Sequence, residues 1–111
     1  MRKGEVWRIR LPATGGHKQA GERPAVIVQN NLHTAALPTV LVVPFTSKLK
    51  AARFTGTLLV QPDATNGLTI PSVALVFQLG AQDKQDLVQR LGELDSTTLD
   101  AILTLIDKLV K

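Results

Sequence analysis

Thr39-Val40-Leu41-Val42-Val43-Pro44-Phe45-Thr46 is the stretch on which the fold turns. From Thr39 to Pro44 the chain is β-branched and aliphatic without a polar break, so neither face of that segment suits water. Such a run marks a central strand of a sheet. Upstream, Ala25–Val28 is a short apolar strand, and Asn30–Pro38 connects it to the central one. Further upstream, Glu5–Leu11 alternates Val6, Arg8 and Arg10 against Trp7, Ile9 and Leu11, the period of two of a strand with one wet and one buried face. Between these strands Pro12–Gly21, with a proline and three glycines, reads as a loop.

Downstream of the central strand, Thr46–Arg53 is polar and basic, and Gly56–Gln61 is a strand. Asp63–Gly67 ends in Asn-Gly, a strong turn signal. Ser72–Leu79 is a further strand, and the stretch after it carries Gly80 and Asp83. The period then changes. Leu99, Ile102, Leu103, Ile106, Leu109 and Val110 form one apolar stripe of an amphipathic helix. Asp95 or Ser96 is its natural N-cap, and Lys108 and Lys111 suit the negative end of its dipole. The expected architecture is mainly β: five or more antiparallel strands, strongly curved, with a C-terminal helix over one face. A small barrel removes open sheet edges economically at this size.

The length of 111 residues implies a single domain over residues 1–111. A hydrophobic share of 44% and a charged share of 20% exclude wholesale disorder. The absence of cysteine excludes disulfides and thiolate zinc sites. No segment reaches the ~18 apolar residues of a membrane span, and no apolar stretch follows Met1-Arg2-Lys3 as in a signal peptide, so the expected location is the cytoplasm. Only Trp7, Phe45, Phe54 and Phe77 are aromatic, too few for RNA modules built on rows of stacking rings.

The net charge of +4 is unevenly placed. Residues 1–53 carry nine basic and two acidic groups, whereas residues 54–111 carry four and seven. A basic half attracts polyanions, nucleic acid foremost, although charge alone does not separate this from a solvated surface. His17 and His33 lie in separate loops without a clustered carboxylate, so no metal site is expected. No Gly-x-Ser-x-Gly elbow, P-loop or dinucleotide fingerprint occurs. Chemistry that needs no metal and few residues remains, and RNA offers it. Its 2′-OH can attack the adjacent phosphodiester, leaving the protein to orient the phosphate, neutralise charge on its oxygens and move protons. An arginine at a strand start and a hydroxyl at a strand end suit that task, and Arg23 and Thr46 hold those positions. Taken alone, Arg23 reads equally as a partner for a loop carboxylate and Thr46-Ser47 as turn chemistry.

Gly4-Glu5-Val6-Trp7 is followed by Gly16-His17-Lys18-Gln19-Ala20-Gly21-Glu22-Arg23-Pro24, then Val42-Val43-Pro44-Phe45-Thr46-Ser47, Gly67-Leu68 and Ser72-Val73-Ala74-Leu75. Gln78, Asp83-Lys84, Arg90-Leu91-Gly92 and Leu94-Asp95 complete the series. In this order, over nearly the whole chain, they resemble the MazF/PemK/Kid family of bacterial toxin endoribonucleases. The resemblance implies an SH3-like barrel, a homodimer, and sequence-specific, metal-independent cleavage of single-stranded RNA to 2′,3′-cyclic phosphate and 5′-OH ends. It needs no cofactor. It implies a cognate antitoxin whose acidic, disordered tail fills the RNA groove. The family's catalytic arginine and threonine fall on Arg23 and Thr46. Arg23 would stabilise the phosphorane and take part in proton transfer, and His17 is a candidate base. Lys18, Gln19, Ser47, Lys48, Lys50, Arg53 and Gln78 would contact RNA. Trp7, on the apolar phase of its strand, reads as core, and by the resemblance it helps frame the RNA path.

Three departures stand out. Lys18 replaces the family's usual Glu, reversing a charge near Arg23. Leu75 and Phe77 stand where Kid-type members carry Arg and Asp before the Gln, here Gln78. Gly80-Ala81-Gln82 replaces the more usual Arg-Thr-Ile. Two rival readings share the sequence: a binding module on the same fold, either a CcdB-like gyrase poison or a toxin relative that has lost catalysis, and a nucleic-acid regulator without catalysis. The gyrase poison lacks support in a chain ending Ile106-Asp107-Lys108-Leu109-Val110-Lys111, because those poisons need a C-terminal Trp.

Overall fold

The computed structural model describes residues 1–11 and 21–111. Strand β3 (Thr39–Thr46) lies inside the sheet, with six of its eight residues hydrophobic or proline and five of them buried. On one side it pairs with β2 (Gly21–Ile27), which pairs with β1 (Glu5–Leu11), which pairs with β7 (Leu87–Glu93). Its other edge is shared. Phe45 and Thr46 face β5 (Ser72–Leu75), and Thr39–Val42 face β6 (Gly80–Asp83). Strand β4 (Thr57–Val60) pairs outside β5, and every pairing is antiparallel. This matches the expected curved, mainly β architecture.

Two apolar clusters fill the two faces. Val6, Val26, Val43, Phe45, Ala74 and Val76 lie on the face covered by α2 (Ser96–Val110), which contributes Ile102 together with Leu99, Leu103 and Ile106. Ile9, Ala25, Ile27, Val40, Val42 and Leu87 form the second cluster, against which Trp7 and Leu11 pack. The split follows the period of two along β1 and β2. Helix α2 starts where expected: the Asp95 side chain accepts from the Thr98 backbone N–H and from its hydroxyl, and these bonds hold the Asp95 carboxyl below its ordinary range.

The described strands do not close the barrel by pairing β4 with β7. The turn after β4 bridges the gap instead. The Asp63 carboxylate accepts from the backbone N–H groups of Thr65 and Asn66 at 2.8 and 2.7 Å, which tightens the turn. The buried Asn66 side chain accepts from Leu68 N–H at 3.0 Å and donates to the Gln61 carbonyl at 2.9 Å. Thr65 then accepts the Glu93 N–H at 2.8 Å, tying the turn to β7. Gly67 has φ +75°, and both it and Gly92 sit where backbone meets backbone.

Some elements differ from the sequence reading. The connection after β2 contains a short helix, α1 (Asn31–Ala36), capped by the Asn30 side chain on His33 N–H. Arg23 lies two residues inside β2, which begins earlier than the apolar Ala25. The strand expected over 72–79 breaks into a 3-10 turn at Val76–Gln78. Between the pairs Phe45–Ala74 and Val42–Gly80, residues 75–79 stand against only Val43 and Pro44. Five residues cannot lie flat against two, so the segment bulges outward. Strand β7, absent from the sequence reading, completes the sheet beside β1. No described helix is long and apolar enough to cross a membrane.

Candidate active site

Arg23 and Thr46 lie at the adjoining ends of the antiparallel neighbours β2 and β3. Ala25 faces Pro44, Val26 faces Val43 and Ile27 faces Val42. Continued two residues past the last pair, that register sets Arg23 opposite Thr46. Alternation puts Arg23 on the face of Ala25 and Ile27, and Thr46 on the face of Val42, so both extend the second apolar cluster. On the other edge of β2, Arg23 faces the fully buried Ile9. Both site residues are half-buried, which puts a cation and a hydroxyl at the rim of an apolar floor. The last ladder pair is Ala25 with Pro44, and Thr46 pairs across its other edge with Val73 of β5.

Proline serves the site twice. Pro24 and Pro44 fix φ beside Arg23 and two residues before Thr46, and they remove backbone donors where the two strands part. Thr46 ends β3, and its Oγ1 accepts the Lys48 N–H at 3.2 Å. That bond holds the hydroxyl at the strand end while leaving its own proton available to donate. Ser47, Lys48, Lys50 and Arg53 follow, all exposed, the last two in a 3-10 turn over Leu49–Arg53. Arg53 lies over the Phe54 ring at 5.4 Å. Gln78 is exposed at the end of the 75–79 bulge, on the opposite edge of β3 from Arg23. His17, Lys18 and Gln19 lie outside the described residues.

Among the described residues no carboxylate pairs with Arg23. Glu22, its neighbour, alternates to the other face and approaches Arg8 at 3.8 Å. Among the described residues, therefore, no carboxylate competes with an external anion for the Arg23 guanidinium. Among the described residues no three His, Asp or Glu side chains gather as metal ligands.

Sequence reasoning missed two further features of the sheet. Phe54 and Phe77 are both exposed and meet edge to face at 6.1 Å, because the bulge throws Phe77 out of the sheet. Phe77 on a strand would have alternated inward, so no periodic signal could reveal its exposure. The second is Glu5, a buried carboxylate whose Oε1 accepts from Trp7 Nε1 and the Arg2 N–H, both at 2.9 Å, while Oε2 accepts from Arg90 Nε at 3.1 Å. Burial raises its pKa, but the bonds from Trp7, Arg2 and Arg90 outweigh that and hold the carboxyl below its ordinary value. Trp7 is thereby pinned, half-buried, opposite Ala25 and diagonal to Arg23. Because the folded value is depressed, this stabilisation is complete above the unfolded pKa of about 4.3 and is lost as pH falls through the folded value. Glu5→Gln should cost about 1–2 kcal/mol at neutral pH and weaken the acid dependence of stability. Urea titrations at neutral pH and near pH 4 check this, and an unchanged difference between the two would contradict the assignment of the charge.

Residues 2–110 match the profile of a family described as the PemK-like, MazF-like toxin of type II toxin–antitoxin systems. The chain belongs to that family. It is similar to the endoribonuclease MazF of Staphylococcus saprophyticus, at 30% identity over 107 residues, covering 96% of this chain and 88% of that protein. It is also similar to the endoribonuclease EndoA of Bacillus subtilis, at 29% identity over 103 residues, covering 92% and 87%. Its fold matches the MazE–MazF crystal structure from Deinococcus radiodurans with a TM-score of 0.79, at 20% identity, over 99% of this chain and 95% of that one. The strongly curved sheet with a C-terminal helix is therefore the MazF-like fold, and the Gly-x-Arg-Pro and Pro-x-Thr-Ser stretches of this toxin-family member lie side by side in it.

Proposed function

We propose that this MazF-family toxin is a metal-independent endoribonuclease that cuts single-stranded RNA at specific sequences, acting through one domain over residues 1–111. What supports the reading is the pairing of β2 with β3, whose register, if continued two residues past its last pair of Ala25 and Pro44, brings Arg23 toward Thr46, which a run of exposed cations follows. The substrate's 2′-oxygen forms a bond to the adjacent phosphorus as its proton leaves to a base. The bond from phosphorus to the 5′-oxygen breaks, and that oxygen takes up a proton. The products are a 2′,3′-cyclic phosphate and a 5′-hydroxyl. Arg23 neutralises the charge that builds on the non-bridging oxygens, a task for a fixed donor fork in a partly desolvated site. A guanidinium stays protonated near neutrality, so Arg23 can give a hydrogen bond or proton but does not collect one; His17 is the candidate base. Thr46 and Ser47 orient the phosphate, and Lys48, Lys50, Arg53 and Gln78 hold the flanking strand.

The proposed partners follow from the same surface. An antitoxin with an acidic, disordered tail would compete with RNA for the cations around Thr46; a MazE–MazF complex is known from Deinococcus radiodurans. The active form is a homodimer in the cytoplasm. The substrate class is tested by offering the protein an RNA and a DNA of one sequence. RNA cut at discrete places beside intact DNA is the expected result. Intact RNA, or equal cutting of both, would overturn the reading, because DNA lacks the attacking hydroxyl.

A further inference from the structure

Three chain segments meet at the end of the sheet far from Thr46. Residues before β1 approach α1, since Lys3 N–H donates to Asn31 Oδ1 at 2.7 Å. Strand β6 ends at Asp83 opposite Thr39, the first residue of β3, and Lys84 follows. A cavity of about 330 Å³ opens there, lined by Met1, Arg2, Asn31, Thr34, Ala35 and Lys84. The Lys84 backbone is tied to the Pro38 carbonyl at 3.2 Å, and its ammonium donates to the Thr34 carbonyl. An ammonium has three donors, so two remain. The Arg2 side chain is exposed. Among the described residues neither cation is paired with a carboxylate. The neighbouring acids have other partners: Glu5 accepts from Trp7, Arg90 and the Arg2 backbone and approaches the Met1 terminal ammonium at 3.8 Å, and Asp83 accepts the Gln85 N–H at 3.0 Å.

We propose that this cavity is an anion site that takes a phosphate group. Arg2, Lys84 and Asn31 line one open cavity of mixed polar and apolar surface, and no carboxylate is among its lining residues; a guanidinium and an ammonium are donors that phosphate recognition uses. Thr39 and Thr46 are seven residues apart on β3, about 23 Å at strand rise, so the cavity is separate from the Arg23–Thr46 site. The phosphate comes from the backbone of a bound RNA strand, outside the cut, which rests on the function proposed above. A free phosphate monoester shares the chemistry and is the second source. As a distal anchor, the site raises affinity without taking part in bond cleavage.

The test uses the whole chain, isotope-labelled, titrated with inorganic phosphate at constant ionic strength. The expected result is saturable shifts of the amide signals of Arg2, Asn31, Thr34, Ala35 and Lys84, weakened in Arg2→Gln and Lys84→Gln. Arg2 is exposed, so Arg2→Gln keeps the test valid if the loss of the Lys84–Thr34 bond disturbs the fold. No saturable shift in the wild-type protein would overturn the proposal. RNA affinity is then measured against salt concentration, with Arg23→Ala present in both proteins so that the strand stays intact. If RNA is the source, Arg2→Gln lowers the slope of log affinity against log salt by about 0.7. An unchanged slope with phosphate shifts still present assigns the site to a free phosphate ester. If no RNA binds while phosphate shifts persist, the ribonuclease reading fails and this site stands.

Discussion

Arg23→Ala should reduce RNA cleavage by about a thousandfold or more while the protein stays folded. The expected size follows from what the guanidinium does. Removing one preorganised donor from a developing oxyanion costs 10²–10³ in rate, and Arg23 supplies a full charge and a two-pronged donor at once. A thousandfold loss is about 4 kcal/mol of transition-state stabilisation. The fold should tolerate the change, because among the described residues no carboxylate depends on Arg23 and its backbone pairing with Ile9 needs no side chain. Arg23→Lys should recover only part of the rate, since an ammonium keeps the charge but loses the fork. The check is a single-turnover cleavage rate beside a thermal melt of each variant. A folded Arg23→Ala protein cutting at the parental rate would remove this residue from the site.

Gly67→Ala should produce the largest loss of stability of any single methyl added to the described chain. A Cβ at Gly67 would lie 2.3 Å from the Leu91 carbonyl oxygen and 2.5 Å from its carbon, both backbone atoms that cannot rotate away. The residue also has φ +75°, where alanine is strained by about 1–2 kcal/mol. Overpacking of this kind adds about 1–3 kcal/mol. A total near 4 kcal/mol is a large share of the 5–15 kcal/mol that holds a typical domain together. It should lower the melting temperature by about 15 °C. The contact matters because the turn holding Gly67 bridges the two ends of the sheet, through Thr65 accepting the Glu93 N–H. Gly80→Ala is the control, since its Cβ would meet only the Gln78 carbonyl at 3.7 Å. Equal melting temperatures for Gly67→Ala and Gly80→Ala would contradict the close approach.

The segments legible in the sequence are those whose pattern is set by burial on one side. The apolar run at 39–44, the alternation of Glu5–Leu11 and the helical stripe from Leu99 to Ile106 each state which face is covered, whereas Leu109 and Val110, read as the end of that stripe, are exposed. Asn66-Gly67 was legible as a turn because a left-handed residue there selects glycine. What escaped has a physical reason in each case. Helix α1 has six residues and buries only Thr34, too little for a period to show. Strand β7 carries two register shifts against β1 and exposes three consecutive residues, Val88, Gln89 and Arg90, so it has no alternation to read. Gly21-Glu22-Arg23-Pro24 has poor strand propensity and is held in β2 by pairing with β1. That β2 and β3 are neighbours is a long-range fact of topology, which spacing along the chain does not contain. Family resemblance suggested both Arg23 and Thr46, and the pairing of β2 with β3 puts the two residues on neighbouring strands.

The central claim is that this chain cuts RNA by using the RNA's own 2′-hydroxyl. The most direct measurement is to incubate the purified protein with a long single-stranded RNA in EDTA and to determine the chemistry of both new ends. Discrete cuts bearing 2′,3′-cyclic phosphates and 5′-hydroxyls, formed without divalent metal and absent with Arg23→Ala, are the predicted result. Ends carrying a 5′-phosphate, or cutting that requires added metal, would contradict it.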